Sequence, residues 1–376
     1  MSSDRKKNSI CFVAQAVYSL FRETPAHRII GGAELQQKFI GLELKSKGYD
    51  VSYLSHDYGQ GEVEIVDDIT FHRTFAPRDG VFGVRFFYPR LFRIWRALKK
   101  ADADIYYSRC AGMLPGIVAL FCKVHGKKCV YGAANEYDFL PNQLKLLGLR
   151  DNALYRYGLR NSNGIVVQSN VQRDLLRKHF GLPAIVIRNF WPTISPTSVS
   201  SPKKHILWVA NFRRQKRPQQ FVELARRFPM ERFVMIGGPG SDENLYKEMR
   251  ATASKIENLA FLGFQSFQDT ERRFDESKVY VSTSEHEGFP NTFLQAWQRG
   301  LPVISYVDPD NVIEANKLGM RVGSFQELVD ALRLTLSGPG FDSNAIKQYF
   351  LSNHSSQLVD QYCSLIETLC RSGGKT

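Results

Sequence analysis

A glutamate two residues ahead of a Phe-Pro-Asn turn marks where this sequence gathers groups able to do chemistry. Glu285 and Glu287 stand in the stretch Glu285-His286-Glu287-Gly288-Phe289-Pro290-Asn291, with Thr292 and Gln295 just beyond. Carboxylates accept from hydroxyl-rich ligands, and a carboxamide such as Gln295 both accepts and donates. Free amides of Asn291, Thr292 and Phe293 at a helix start would face an anion. The elements around this set must be strand, loop, helix and strand. Val279 to Ser284 reads as a strand, Asn291 is placed to cap a helix that Gly300 closes, and Leu301 to Ser305 returns as a second strand. In such a unit the loop and the helix start lie at the carboxyl ends of parallel strands, where open sheets take their ligands. Gln295, expected in the first helical turn, leans toward the same mouth as Glu287.

Other loops carry groups of the same kind. Gly31-Gly32-Ala33-Glu34 precedes a helix with Leu35, Phe39, Leu42 and Leu44 on its apolar face, and a glycine pair lets a backbone approach a phosphate or sugar. Tight loops without function use glycine pairs as well. The loop Asn211-Phe212-Arg213-Arg214-Gln215-Lys216-Arg217-Pro218 follows the strand His205 to Ala210 and feeds a helix from Gln219 to Phe228. Gly237-Gly238-Pro239-Gly240 lacks the third glycine of a dinucleotide fingerprint, which argues against a nicotinamide cofactor. The loop Gly263 to Phe267 contains Phe264 and Phe267. Ala134-Asn135-Glu136-Tyr137-Asp138 offers two carboxylates that either orient and polarise a substrate hydroxyl or cap the next helix.

The whole chain bounds the setting. At 376 residues it is expected to make two domains, and its 43% apolar content is that of a globular protein. No apolar run approaches the roughly 18–20 residues that span a bilayer. Asp4-Arg5-Lys6-Lys7 before Ile10 to Ala16 imitates a signal peptide, but the apolar segment is short and reads as the first strand. The six cysteines show no metal-ligand spacing and look like thiols of a reducing compartment, so the protein is expected in the cytoplasm. Strands at Val51 to Leu54, Glu64 to Phe75, Asp104 to Tyr107, Lys128 to Ala133, Gly164 to Gln168 and Ile185 to Ile187 alternate with helices, which argues for a parallel α/β domain. The expected organisation is a first Rossmann-like domain over 1–192, a linker over 193–203, a second over 204–344, and a C-terminal helical segment over 345–376 that packs back on the first. Residues 1–200 carry 28 Lys and Arg against 17 Asp and Glu, so most of the net charge of +13 belongs to the first half. From Arg90 the apolar Leu91, Phe92, Ile94, Trp95 and Leu98 recur at helical spacing opposite Arg90, Arg93, Arg96 and Lys100. Residues 85–100 therefore read either as a helix on an anionic membrane or as one packed on its own sheet with a solvated basic face, and both can hold.

Together these residues resemble the retaining glycosyltransferases of family four, with the GT-B architecture of two Rossmann-like domains facing a cleft. The likeness rests on the GGAE loop, Ile165 to Leu176, Val186-Ile187-Arg188-Asn189, the LWVANFRRQKRP loop, the FLGF run at Phe261, and EGFPNTFLQAWQRGLPVIS. It implies that Glu287 contacts the donor sugar, with Phe289 and Pro290 supplying loop backbone, and that Lys216 holds the diphosphate. Two positions depart from the family. The residue eight beyond Glu287, where a ribose-binding glutamate usually stands, is Gln295, and the usual phosphate-binding arginine is Asn211, with Arg213 or Arg214 near enough to replace it. The family's acceptor-side histidine is also missing from the loop that holds Glu136 and Asp138.

The expectation is thus a metal-independent enzyme of polysaccharide or glycoconjugate biosynthesis. It would move a sugar from a nucleotide diphosphate to a glycan or glycolipid hydroxyl, without a cofactor, as a cytoplasmic protein with peripheral contact at the inner membrane face. The donor set is Gly31, Gly32, Asn211, Arg213, Lys216, Phe264, Phe289, Pro290, Asn291, Thr292 and Gln295; Glu287, Lys216, Glu136 and Asp138 are the catalytic candidates. The alternatives are a GT-B isomerase or hydrolase of nucleotide sugars, or a non-enzymatic binder of polyanions or membranes. A pI near 9.4 suggests the latter, but the nearly neutral second half carries the ligand motif, and nucleic acid is not an expected partner.

Overall fold

Short β-branched and aromatic runs separated by helices give two open sheets. The computed structural model of the protein describes residues 8–22, 31–81, 85–193, 202–240 and 242–371, so Asp4 to Lys7 and most of the expected linker lie outside the described residues. The first sheet comprises β1 (Ser9–Val13), β2 (Asp50–Ser55), β3 (Val63–Val66), β4 (Ile69–Arg73), β5 (Ile105–Arg109), β6 (Lys128–Gly132), β7 (Gly164–Val167) and β8 (Ile185–Val186). The second comprises β9 (His205–Val209), β10 (Arg232–Ile236), β11 (Leu259–Gly263), β12 (Ser277–Ser282), β13 (Val303–Ser305) and β14 (Gly319–Arg321). Their orders are β3-β4-β2-β1-β5-β6-β7-β8 and β11-β10-β9-β12-β13-β14. All neighbours are parallel except β3 with β4, which are joined through Asp67 and Asp68, both at positive φ, the geometry of a tight hairpin turn. Two parallel α/β sheets are the expected fold class. The sequence reading missed β14, whose three residues carry too little pattern.

By their packing the residues form two compact units, Met1–Arg188 with Gln357–Thr376, and Asn189–Ser356. The chain therefore leaves the first unit four residues earlier than 192 and re-enters it at 357 rather than 345. The helix Ser343–His354 stays in the second unit because Ile346 and Phe350 are buried there and Ser343 Oγ donates to the Gly300 carbonyl at 2.7 Å. Only the helix Val359–Arg371 joins the first. It buries Tyr362, Leu365, Ile366 and Leu369, with Leu365 and Leu369 against Gly164 at the start of β7. At about 1.5–3 kcal/mol for each fully buried large apolar side chain, that stripe is enough to hold one helix.

Phe92–Ala101 forms the expected basic helix, preceded by a π-helical turn over Phe86–Leu91. Ile94, Ala97 and Leu98 are buried, whereas Phe92 faces solvent beside exposed Phe87 and Tyr88. The basic stripe is less free than the pattern implied. Arg93 pairs with Asp79, Arg96 and Lys100 both reach Glu62, and Arg90 donates to the Pro77 carbonyl. Leu42, expected on the buried face of Gly32–Ser46, is also partly exposed, at 37%.

Candidate active site

β9 and β12 are parallel neighbours, so the loops that follow them emerge side by side at one sheet edge. That adjacency brings Lys216 to Glu287. Lys216 Nζ donates to Glu287 Oε1 in an ion pair whose side chains retain only 17% and 15% of their exposure. Two further links fix the loops to each other: the Glu285 amide donates to the Gln215 carbonyl at 2.9 Å, and the Thr283 hydroxyl donates to the Lys216 carbonyl at 2.6 Å. Trp208 Nε1, from β9, donates to the same hydroxyl, and Arg217 Nε donates to the Thr283 carbonyl while its guanidinium lies over Tyr306. Thr283, Arg217 and Tyr306 were not singled out from the sequence. Only their place at strand ends could have signalled them.

The glycine run after β10 acts on the same loop. A Cβ on Gly237 would lie 1.8 Å from the Ala210 carbonyl oxygen, so only glycine lets β10 pass so close to the start of the Lys216 loop. The Phe212 amide then donates to the Gly238 carbonyl at 2.9 Å. Asn211 is half-buried and Arg213 exposed on this loop, while Arg214 Nε turns to Asp242 at 3.3 Å. Of the two candidate replacements for the missing arginine, Arg214 thus has an acid partner of its own. Phe264 is half-buried in the loop after β11, where Gln265 Nε2 donates to the carbonyls of Leu262 and Phe264.

Behind the Glu287 loop, Phe289 is buried against the rings of His354 and Trp297. Asn189 Nδ2 donates to the Phe289 carbonyl at 3.0 Å and to Asn291 Oδ1 at 3.1 Å, and His354 Nδ1 meets the Asn189 carbonyl at 2.8 Å. The loop that presents Glu287 is therefore held by backbone and rings rather than left to flex. Several expectations change here. Pro290, not Asn291, occupies the N-cap of the helix Asn291–Trp297, because Asn291 already has helical geometry and its side chain is held by Asn189. The Phe293 amide donates to the Pro290 carbonyl at 3.1 Å, so it is not one of the free amides. Thr292 belongs to the same first turn and its hydroxyl reaches Tyr280.

Gln295 is the clearest correction. It is the fifth residue of the helix rather than part of the first turn, is buried, and its Nε2 donates to Glu271 Oε1 at 2.5 Å. Arg299 completes the cluster, reaching Glu271 Oε2 at 2.8 Å, Asp275 Oδ1 at 2.6 Å and the Gln295 carbonyl at 3.1 Å. A glutamate at 295 would set two carboxylates together, which explains in local terms why this position holds an amide.

In the first unit, the carboxyl ends of β1 and β6 carry the remaining candidates. Gly31 caps the helix Gly32–Ser46 in extended geometry, and a Cβ there would approach the Glu34 carboxylate to 2.7 Å. Gly32 opens that helix. Glu136 and Asp138 lie in a 3-10 turn over Glu136–Phe139. Asp138 is not available for acceptor chemistry: it is buried, and its Oδ2 accepts from the Tyr131 hydroxyl and from the amides of Ala134 and Asn135 at 3.0, 2.7 and 3.3 Å. Burial raises its pKa, and these donors oppose the rise. It closes a capping box with Asn135, so the structural alternative weighed for this carboxylate is the one realised. Glu136, half-buried beside it, keeps the acceptor-side candidacy alone. Among the described residues no group of three or more His, Cys, Asp or Glu side chains is arranged to hold a metal ion, and no helix is long and apolar enough to cross a membrane.

Residues 30–193 match the family model described as Glycosyltransferase Family 4, and residues 192–349 match that of glycosyl transferases group 1. Among solved structures, sucrose-phosphate synthase from Thermosynechococcus elongatus is similar at a TM-score of 0.77 and 14% identity, covering 97% of this chain and 100% of that one. WaaG, a glycosyltransferase involved in lipopolysaccharide biosynthesis, is similar at 0.69 and 13%, covering 95% and 99%. The catalytic domain of starch synthase IV from Arabidopsis thaliana, bound to ADP and acarbose, is similar at 0.68 and 12%, covering 96% and 99%. With two parallel α/β units and successive matches to two glycosyltransferase models across residues 30–349, the chain is a glycosyltransferase of the GT-B fold.

Proposed function

We propose that the protein transfers a sugar from a nucleotide diphosphate to a hydroxyl of a glycan or glycolipid, with retention of anomeric configuration. The observation that carries this reading is the Lys216–Glu287 pair at adjoining ends of β9 and β12. A cation and a carboxylate held this close fit the two halves of such a donor, the diphosphate and the sugar hydroxyls. On binding, the phosphates take over Lys216 and release Glu287 to the sugar. Arg213 adds a second cation at the diphosphate in place of the arginine that Asn211 replaces. This charge, fixed before the reaction, offsets what develops on the leaving group, so the reading needs no metal.

The bond from the anomeric carbon to the β-phosphate oxygen breaks as the acceptor oxygen bonds to that carbon on the same face. The acceptor proton passes to the departing phosphate oxygen. Glu136 orients the acceptor hydroxyl. WaaG's part in lipopolysaccharide biosynthesis and the ADP on starch synthase IV support this choice of acceptor and donor class. Exposed Phe87, Tyr88 and Phe92 beside the basic helix support peripheral contact of residues 85–100 with an anionic membrane.

Saturation-transfer NMR against a panel of nucleotide-diphosphate sugars selects the donor. The anomeric coupling constant of the product, made with glycan and glycolipid acceptors, then reads the stereochemistry. The expected product keeps the donor's configuration and appears one-for-one with nucleoside diphosphate. Inversion, or donor consumption that ignores the acceptor, would refute retaining transfer.

A further inference from the structure

The carboxyl ends of β2 and β4 in the first unit border a cavity of about 230 Å³ that the proposed transfer chemistry does not use. It is several times the roughly 30 Å³ that one water occupies in the liquid. Four cations line it: Arg73 closes β4, and Arg93, Arg96 and Lys100 come from the helix Phe92–Ala101. The helical three are spaced three and four apart, so they share one face and point at one hole. Against them the lining holds two carboxylates, Asp57 and Glu62. Glu62 is shared between Arg96 at 2.7 Å and Lys100 at 3.4 Å, and Asp57 stands 3.6 Å from Arg73. Arg93 finds its acid in Asp79, outside the lining. The cavity wall is thus left with more cation than acid.

One uncharged group points the same way. His72, on β4, lines the cavity at 5% exposure, and its Nδ1 has no hydrogen-bond partner. Burial, with Lys100 nearby, lowers its pKa to about 4, so the ring is neutral at physiological pH and can donate one N–H. A buried polar atom without a partner is uncommon unless a ligand or water supplies one.

We propose that this cavity binds a phosphoryl group, as a phosphate mono- or diester, between Arg73, Arg96 and Lys100 with His72 beside it. A tetrahedral oxyanion has oxygens enough to meet several cations from different directions, and guanidinium forks match it better than they match a neutral polyol. The phosphoryl group comes either from a soluble phosphorylated molecule or from an anionic lipid headgroup, and both present the same oxygens.

The test titrates the full chain with inorganic phosphate and follows the His72 ring resonances by NMR, identified by their loss in His72→Gln. Because the probe sits in this cavity, phosphate bound near Lys216 does not confuse the reading. The expected result is a saturable shift, an affinity about tenfold or more weaker in the double variant Arg96→Gln, Lys100→Gln, and a tighter affinity in Glu62→Gln, since fixed charge in the wall sets the attraction. Repeating the titration with vesicles of phosphatidylcholine, with and without phosphatidylglycerol, separates the sources. Competition by the anionic vesicles alone assigns a lipid headgroup, and none assigns a soluble phosphate. His72 resonances unmoved by phosphate and by both vesicles would overturn the proposal. So would an affinity indifferent to all three charge substitutions in proteins whose circular dichroism matches the parent.

Discussion

Lys216 and Glu287 are 71 residues apart and meet in an ion pair, whereas Glu136 and Asp138 lie in one short turn whose capping box only Asp138 closes. The first pair is joined by parallel strands that share an edge, so any two residues at those loop positions would be brought together. The second pair sits in one tight turn, where a polar residue is as useful to the backbone as to a substrate. Asp138 is taken by its own turn through three donors, while Glu136 is not part of that capping box. Three donors already aimed at Asp138 commit it to its own turn, so closeness in sequence does not by itself make a carboxylate available to a substrate.

Breaking the first pair should have the largest effect. Lys216→Ala is expected to remove about 2–4 kcal/mol of transition-state stabilisation and lower kcat/KM by roughly thirtyfold to a thousandfold, read from initial rates with a saturating acceptor. Near-normal rates would take Lys216 out of the site. In the second pair the two carboxylates should divide between activity and stability. Asp138→Ala is expected to lower thermal stability by about 1–3 kcal/mol for each buried donor left without an acceptor, with activity per folded molecule preserved. Glu136→Gln should do the reverse, slowing transfer at unchanged melting temperature. If both variants lose only stability, the acceptor side lies elsewhere.

At Gln295 the family pattern and the local geometry give opposite expectations for one substitution. Restoring the usual glutamate should be tolerated if residue 295 meets the ribose. Beside Glu271 it should destabilise the protein by about 1–3 kcal/mol, the scale of leaving a buried acceptor without its donor, and Arg299 would offset part of this. Melting of Gln295→Glu against Gln295→Ala decides between them: a glutamate variant as stable as the parent would contradict the expectation from the local geometry. The smallest effect concerns His205, buried at the start of β9 with its pKa lowered to about 4, first by desolvation. A depressed histidine pKa contributes stability that is present above the unfolded value near 6.5 and is lost as pH falls toward 4. Taking pH from 7 to 5 should therefore lower the melting temperature of the parent more than that of His205→Asn.

Much of the fold was legible because parallel α/β strands are buried runs with loud boundaries. Eleven of the strands lie on segments read from the sequence to within a residue or two at most ends, and β3 and β4 were read together as short strands between Glu64 and Phe75. β14 escaped because Gly319-Met320-Arg321 has no period to detect, and the return of the chain was placed early because Ser343–His354 and Val359–Arg371 carry similar apolar stripes. In the site, the Glu287 loop and Lys216 were visible as motifs. The Thr283 and Trp208 supports, the Asn189 clamp and the Glu271–Arg299 cluster were not, since each depends on which strands and helices are neighbours. For the same reason the sequence misplaced Gln295: spacing put it near the helix start, but the face it presents is set by Glu271 on the adjacent helix Phe267–Asp275.

On the proposed reading Glu287 holds Lys216 until a diphosphate replaces the carboxylate, a claim that calorimetric titration with nucleoside diphosphates lacking the sugar puts to the test. ADP, UDP and GDP identify the base, and the tightest of them is then measured against the parent, Lys216→Ala and Glu287→Gln. Affinity should fall about tenfold or more in Lys216→Ala, and it should rise in Glu287→Gln, where the lysine no longer has a competing anion. Equal affinity in all three proteins, or a loss of affinity in Glu287→Gln, would contradict the claim.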